Sequence, residues 1–593
     1  MRLVSGAHAP AGGRACTVLL ALLAVLAACV SPAAAEVGGG ATVAGQAGAA
    51  KIASSVLGSC AITPQSTVRC WGEGDSGQLA TGNEDNVGNT AGSTTVQVFL
   101  GRGVVPAQLS SGYAHTCAVD TTGGVWCWGR DINGQAGDLS TGEYLGDDEG
   151  ERPARVPLPP GFVAAQVAAG REHTCALSTA GAVACWGDNT VAQLGGEAVG
   201  GVRVVPQLVT LPSAAFSIST RDSHTCVLLT PSRELRCWGA NSWGQTGLPN
   251  GLGSAPVAGP RKPTAAPGQF LAVSTGRTFT CGIAAPNRNV LCWGEGTQGQ
   301  LADGKGKSTT EPGSTAYPIN LGGAKATAIS TGSDTACVLT DAGAVRCWGS
   351  NDSGMLGGGF VGNNRGDSGD VGGPERVPIT VALGAGRTAV GLGVGGRHTC
   401  AMLSTGAPLC WGDGDSGQRA NGMAGESGKT TPSALPPVVF AADLPDGDAD
   451  GLPDRYDVCP AAAGAADDGC PPPAQPAPQQ PAPVQPVTPK PPTVQPPVIV
   501  EPKPRTLKVS VLLKRKSGVT SCPKSGTASV VGAKPKFSGT VKIKKRKLAS
   551  GKVRCAATAT ISWPDAPSAG TKVKVKVGGK GLTSRTITVK VTA

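Results

Sequence analysis

Fourteen cysteines of this 593-residue chain recur as seven pairs with a fixed sequel, Cys-x(9–10)-Cys-Trp-Gly. The pairs are Cys60 with Cys70, Cys117 with Cys127, Cys175 with Cys185, Cys226 with Cys237, Cys281 with Cys292, Cys337 with Cys347 and Cys400 with Cys410. Such thiols could hold a metal or each other. Zinc sites favour ligands two to four residues apart, and the wider spacing here points to disulfides. With Cys459 and Cys470, and Cys522 and Cys555, there are nine sequential pairs once Cys16 and Cys29 are set aside. Imidazole is scarce, at five His. His115, His173, His224 and His398 each stand in a His-Thr-Cys triplet. A catalytic site needs one asymmetric constellation, whereas these residues recur at equivalent places and read as structural. A second cluster runs from Asp446 to Asp457. Asp446, Asp448, Asp450, Asp454 and Asp457 occupy positions 1, 3, 5, 9 and 12, with Gly451 at 6 and the Leu452 carbonyl at 7. That pattern fits an oxygen cage for structural calcium, weak and in the extracellular range of about 10⁻⁴–10⁻³ M. No organic cofactor is expected.

The elements that must position these residues are short strands. Gly (89) and Pro (47) are abundant and aromatics are 4%, which argues against a mainly helical enzyme. In the third unit, Cys175-Ala-Leu-Ser and Ala182-Val-Ala-Cys185 flank Ala180-Gly181. A hairpin centred there puts the two cysteines on one rung, at a separation a disulfide accepts. Successive first cysteines are 51–63 residues apart. Units of this size cannot cover their own faces, but stacked neighbours can. Seven positions after each repeat Trp comes Gln78, Gln135, Gln193, Gln245, Gln300 or Gln418, with Met355 breaking the series.

The units resemble the regulator-of-chromosome-condensation repeat, carried by Gly170-Arg-Glu-His173-Thr-Cys-Ala-Leu followed by Cys185-Trp-Gly. The resemblance covers residues 50–440 and implies a seven-bladed β-propeller, of the secreted, disulfide-bearing bacterial type. No residue maps onto a nucleotide-exchange wedge, so exchange on a GTPase is not carried over. The calcium segment, 441–470, resembles a thrombospondin type 3 repeat, which implies a Cys459–Cys470 bridge. Recognition is expected in the loops after each Gly-Gln turn. The longest are 138–153, 250–263 and 357–374; the last contains Arg365-Gly366-Asp367, an integrin-type tripeptide.

The fold class expected is therefore all-β throughout. Residues 1–35 read as a signal peptide and 36–49 as a lead. Leu26-Ala27-Ala28-Cys29 is a competing lipobox reading, with Cys29 lipidated. Residues 471–504 hold 15 Pro and form a linker. Residues 505–593 alternate in the β manner and read as a small, basic β-sandwich; from 501 onward there are 22 Lys+Arg against 2 acids. No apolar run is long enough to span a membrane. The address is extracytoplasmic, secreted or cell-surface. The expected function is an exported, non-enzymatic binding scaffold for an extracellular protein or glycan. Its basic tail would hold an anionic cell-wall polymer; the shortage of aromatics there speaks against single-stranded nucleic acid. Alternatives are an inhibitor of an extracellular enzyme, a propeller lyase or hydrolase, and a guanine-nucleotide exchange factor.

Overall fold

The computed structural model describes residues 51–90, 92–196, 199–248, 255–264, 268–304, 318–366, 377–422, 429–441, 445–449 and 453–454, and strand backbones between 505 and 590. The chain divides into two compact units, Met1–Cys470 and Pro471–Ala593. Among the described residues, the first unit contains seven antiparallel sheets of three to five strands. In the third, Ala164–Ala169, His173–Ser178, Val183–Asp188 and Val202–Val209 pair in chain order. The first strands of successive sheets, starting at Ile52, Pro106, Ala164, Ala215, Phe270, Ala326 and Ala389, touch one another in turn, and the seventh touches the first. The unit is a seven-bladed β-propeller whose first strands surround the axis.

The second strand of a blade has no polar face. His115–Asp120, His173–Ser178, His224–Leu229, Thr335–Thr340 and His398–Leu403 are buried along their whole length. Neighbouring blades cover both faces of each sheet, so the alternation of buried and exposed residues gives way to unbroken burial, polar residues such as His173 and Thr174 included. The Gly after each repeat Trp has φ between 99° and 110°. A Cβ on Gly129 would lie 2.5 Å from the Ala114 carbonyl oxygen, which is why Trp is always followed by Gly.

All seven repeat cysteine pairs are disulfides. Cys60 is joined to Cys70, Cys117 to Cys127, Cys175 to Cys185, Cys226 to Cys237, Cys281 to Cys292, Cys337 to Cys347 and Cys400 to Cys410, with Cα–Cα distances of 4.0–4.2 Å. The two halves face each other on one rung, as in Cys175 opposite Cys185. The repeat Trp then ties blade to blade. Its indole N–H donates to a main-chain carbonyl of the preceding blade: Trp128 to Gln78, Trp186 to Gln135, Trp238 to Gln193, Trp293 to Gln245, Trp348 to Gln300 and Trp411 to Met355, at 2.9–3.1 Å. Trp71 donates to Gln418 at 2.9 Å and closes the ring between the first and last blades. Since the acceptor is main chain, Met355 serves as well as Gln.

In the second unit, Arg505–Leu513, Val553–Trp563, Ser538–Lys547, Ser525–Val530, Lys572–Gly578 and Arg585–Lys590 form one antiparallel ladder in that spatial order. Alternation alone predicts a sandwich of two sheets; the strands instead pair as one. The two edge strands approach each other, so a twisted single sheet curls toward itself and achieves what a second layer would. The backbone of Cys555 stands between Leu513 and Lys545 of the neighbouring strands. Its expected partner Cys522 lies outside the described residues, as do residues 1–50 with Cys29, the linker, and both Cys459 and Cys470. The bridges Cys459–Cys470 and Cys522–Cys555 therefore remain expectations of the sequence. No helix among the described residues is long and apolar enough to cross a membrane.

Candidate functional site

The repeat histidines are struts between blades. His115 Nε2 lies 2.9 Å from Thr174 Oγ1, His173 Nε2 3.0 Å from Thr225 Oγ1, and His224 Nε2 2.9 Å from Thr280 Oγ1. Each of these hydroxyls donates to the carbonyl that also receives the Trp N–H, those of Gln135, Gln193 and Gln245. The hydroxyl proton is therefore committed, and Nε2–H of the imidazole must be the donor to Thr. His398 makes the equivalent contact to Ser59 Oγ at 2.7 Å across the ring closure. All four rings are fully buried. Burial pushes their pKa values down, to about 3 for His115 and His224 and about 4 for His173 and His398. They are neutral and inaccessible: each commits Nε2 to the contact between blades, and its Nδ1 is buried without a hydrogen-bond partner among the described residues.

Register decides which end of the ring can recognise a partner. His115 pairs with Gly129 and His173 with Gly187, so the start of the second strand and the end of the third lie together. The long loops follow the third strand. They therefore share one end of the propeller with the turns between first and second strands, which surround the axis. The opposite end carries the short hairpins between second and third strands. There the hairpins 63–67 and 405–407 of the first and last blades line an open hollow of about 500 Å³, with Arg69 its one charged wall residue.

On the loop-bearing end, loop 138–153 reaches back over the first blade, where Gly82 N–H donates to the Gly146 carbonyl at 2.9 Å. Asp147, Asp148 and Glu151 bring one carboxylate oxygen each within 4.8 Å of one another. Glu151 Oε2 accepts the N–H groups of Gly146 and Asp148, which makes it a staple of its own loop. Loop 357–374 is described to residue 366. Arg365 of the tripeptide exchanges main-chain hydrogen bonds with Gly349 and stacks on Phe360 at 5.6 Å, while Asp367 lies outside the described residues.

The axial turns make the most asymmetric feature of this face. Five blades carry Gly at the first turn position: Gly112, Gly170, Gly276, Gly332 and Gly395. The reason is close approach: a Cβ on Gly112 would sit 2.0 Å from the Gly170 carbonyl oxygen, and one on Gly332 2.1 Å from that of Gly395. The first blade has Ser55 and the fourth has Arg221. The fourth turn accommodates the side chain by pairing Arg221 directly with His224 and placing Asp222 at φ 47°. Arg221 then spans the axis. Its Nη1 donates to the carbonyls of Ser54 at 3.3 Å and Val394 at 3.2 Å, on the first and seventh blades. Burial lowers its pKa to about 10, which leaves it charged at neutral pH.

Around it is a cavity of about 310 Å³ lined by Val56, Gly112, Tyr113, Arg171, Arg221, Asp222, Arg277 and Ser333. Arg171 lies 3.7 Å from Asp222 and stacks on the Tyr113 ring at 5.0 Å. Arg277 Nη2 donates to both carboxylate oxygens of Asp334 at 2.9 Å. Burial raises the pKa of Asp222 and of Asp334 against the pull of these arginines. Arg221 escapes a search for residues that recur. Its signal in the sequence is that in one blade an arginine replaces the turn glycine.

Of the six residues expected to bind calcium, Asp446, Asp448 and Asp454 are described, and Asp450, Leu452 and Asp457 are not. The segment folds back on itself: Gly447 N–H donates to Asp454 Oδ1 at 2.7 Å, and Asp454 N–H to the Pro445 carbonyl at 2.8 Å.

Comparison with known proteins finds the Regulator of chromosome condensation (RCC1) repeat at residues 107–135, 164–193 and 326–354, and a second model of that repeat at 122–177. These stretches fall in the second, third and sixth blades. The Ultraviolet-B receptor UVR8 of Arabidopsis thaliana is 31% identical over 248 residues, 41% of this chain and 52% of that protein. The E3 ubiquitin-protein ligase HERC2 of Homo sapiens is 27% identical over 313 residues, 50% of this chain but 6% of that protein. The chain thus spans about half the length of the first relative and a small part of the second. The crystal structure of human WBSCR16 aligns at a TM-score of 0.47 and 20% identity, covering 58% of this chain and 83% of that one.

Proposed function

We propose that this chain, which carries regulator-of-chromosome-condensation repeats, is an exported binding protein without catalysis of its own. Its loop-bearing propeller face recognises an extracellular protein or glycan, and the basic unit, residues 505–593, holds an anionic envelope polymer. The observation that carries the binding role is the division of labour within the repeats. The chemically versatile His, Thr and Trp side chains of the repeats are locked between blades, and the longest loops gather at one end. Seven disulfides inside the blades support an oxidising destination.

Sedimentation with purified cell wall tests the anchoring. The full chain should pellet at low salt and be released as salt rises. Replacement of Lys542, Lys544, Lys574 and Lys576 by Gln should leave most of it in the supernatant. An unmodified chain that never pellets removes the anchoring role.

The segment from Asp446 to Asp457 is proposed to take structural calcium. Calorimetry on the full chain should show heat saturating at calcium concentrations of about 0.1–1 mM. That heat should be abolished by Asp448→Ala with Asp450→Ala. Silence from the unmodified chain at these concentrations excludes the site.

A further inference from the structure

We infer that the axial mouth of the propeller is a binding site for a single carboxylate group. At its base the Arg221 guanidinium is held by one amino group only. Nη1 is bonded to the Ser54 and Val394 carbonyls, while Nη2 is buried and has no hydrogen-bond partner among the described residues. A buried guanidinium with an unused donor is costly to the fold, and an acceptor supplied from outside offsets that cost. The turn was rebuilt to put it there, since a glycine at this position serves five other blades.

The rim fits the same ligand. Arg171 and Arg277 are about half exposed, with side-chain exposures of 51% and 49%, and stand beside the same cavity. The cavity lining itself carries three guanidinium groups and one carboxylate, Asp222, while Asp334 and Glu295 stand beside Arg277 at its edge. With these carboxylates close by, a monoanion is favoured over a phosphate dianion. The planar guanidinium fork suits a carboxylate. A volume of about 310 Å³ admits a side-chain-sized group and not a polymer chain laid across the axis. The carboxylate is that of an acidic side chain on a protein or of a free small acid. The site stands on this geometry whether or not the propeller's partner is a protein.

The test is fluorescence anisotropy of the full chain with labelled acetyl-Gly-Glu-Gly-Gly-amide, its Gln twin as control, and unlabelled propionate or inorganic phosphate as competitor. The Glu peptide should bind at least tenfold more tightly than the Gln twin, and propionate should displace it at concentrations where phosphate does not. Arg221→Lys keeps a charge but loses the second amino group, and should weaken the Glu peptide about tenfold. Arg277→Gln lies at the rim, away from the contacts to Ser54 and Val394, and should weaken it several-fold without touching the ring's closure. Arg203→Gln, on an outer strand, should change nothing. Saturable binding of propionate in equilibrium dialysis, with no peptide binding, would assign the mouth to free acids. Equal binding of the Glu and Gln peptides together with no propionate binding would overturn the proposal. So would stronger displacement by phosphate than by propionate, or full affinity in both Arg221→Lys and Arg277→Gln.

Discussion

Acidification from pH 7 to 4 should unfold the propeller cooperatively, with stability lost progressively below about pH 6.5. The cause is the four buried imidazoles. An unfolded histidine binds its proton near pH 6.5. In the fold, His115 and His224 do so only at about 3, and His173 and His398 at about 4. Between those limits the unfolded chain holds more protons, so falling pH favours it. Each unit of pH in that window costs about 1.4 kcal/mol per group. Four groups over two units reach on the order of 10 kcal/mol, comparable to the whole stability of a domain. The fifth and sixth blades indicate how to test the assignment. There the His position is taken by the buried Phe279, and the residue that would meet it on the next blade is Ala336 instead of Thr. Copying that pair as His224→Phe with Thr280→Ala should fold, and should flatten the fall of melting temperature with pH by about a quarter. A melting temperature that stays level from pH 7 to 4.5, or a double variant with an unchanged slope, would show that these rings are not held neutral.

The same blades show what the sequence made legible. Cysteine pairing, the Trp-Gly sequel and the number of blades all follow from spacing, because a rung-to-rung disulfide and a stacked repeat are properties of local pattern. The Gln series was visible but its meaning was not. Sequence displays side chains, and the working group at Gln78 or Met355 is the main-chain carbonyl that receives a Trp N–H. The Gln side chain has a narrower role, since Gln78 Oε1 accepts the Ser76 N–H and shapes the turn. The axial mouth was hidden for a different reason. Tyr113, Arg171, Arg221 and Arg277 are spread over four blades and more than 160 residues of chain, and only ring closure brings them together. In the basic unit, alternation identified strands but could not say whether they pair as one ladder or two, since both arrangements need the same period of two.

Asp131→Asn should stabilise the propeller at neutral and alkaline pH, by about 2–4 kcal/mol at pH 7. Asp131 is fully buried at a position where three other blades place Asn189, Asn241 and Asn351. In each case the side-chain oxygen accepts the N–H five residues on: Leu194 at 3.2 Å, Thr246 at 3.0 Å, Leu356 at 3.1 Å and, for Asp131, Ala136 at 2.6 Å. An amide also offers a donor, as Asn351 does to the carbonyls of Phe360 and Gly362. A carboxylate can supply one only when protonated. Burial, with the Asp138 carboxylate nearby, accordingly pushes the Asp131 pKa up to about 9. An unfolded aspartate has lost its proton above about pH 4. From there to about 9 the folded chain holds a proton that the unfolded chain does not, so rising pH favours unfolding. This slope is opposite in sign to that of the histidines, and the two overlap between about pH 4 and 6.5. The difference between Asp131→Asn and the unmodified chain isolates the carboxyl, because the histidines cancel from it. That difference in melting temperature should be several degrees at pH 8 and shrink toward zero near pH 4. A gap that does not vary with pH would mean that Asp131 is not held protonated. An Asn variant less stable at pH 8 would mean that the carboxyl makes a contact the amide cannot replace.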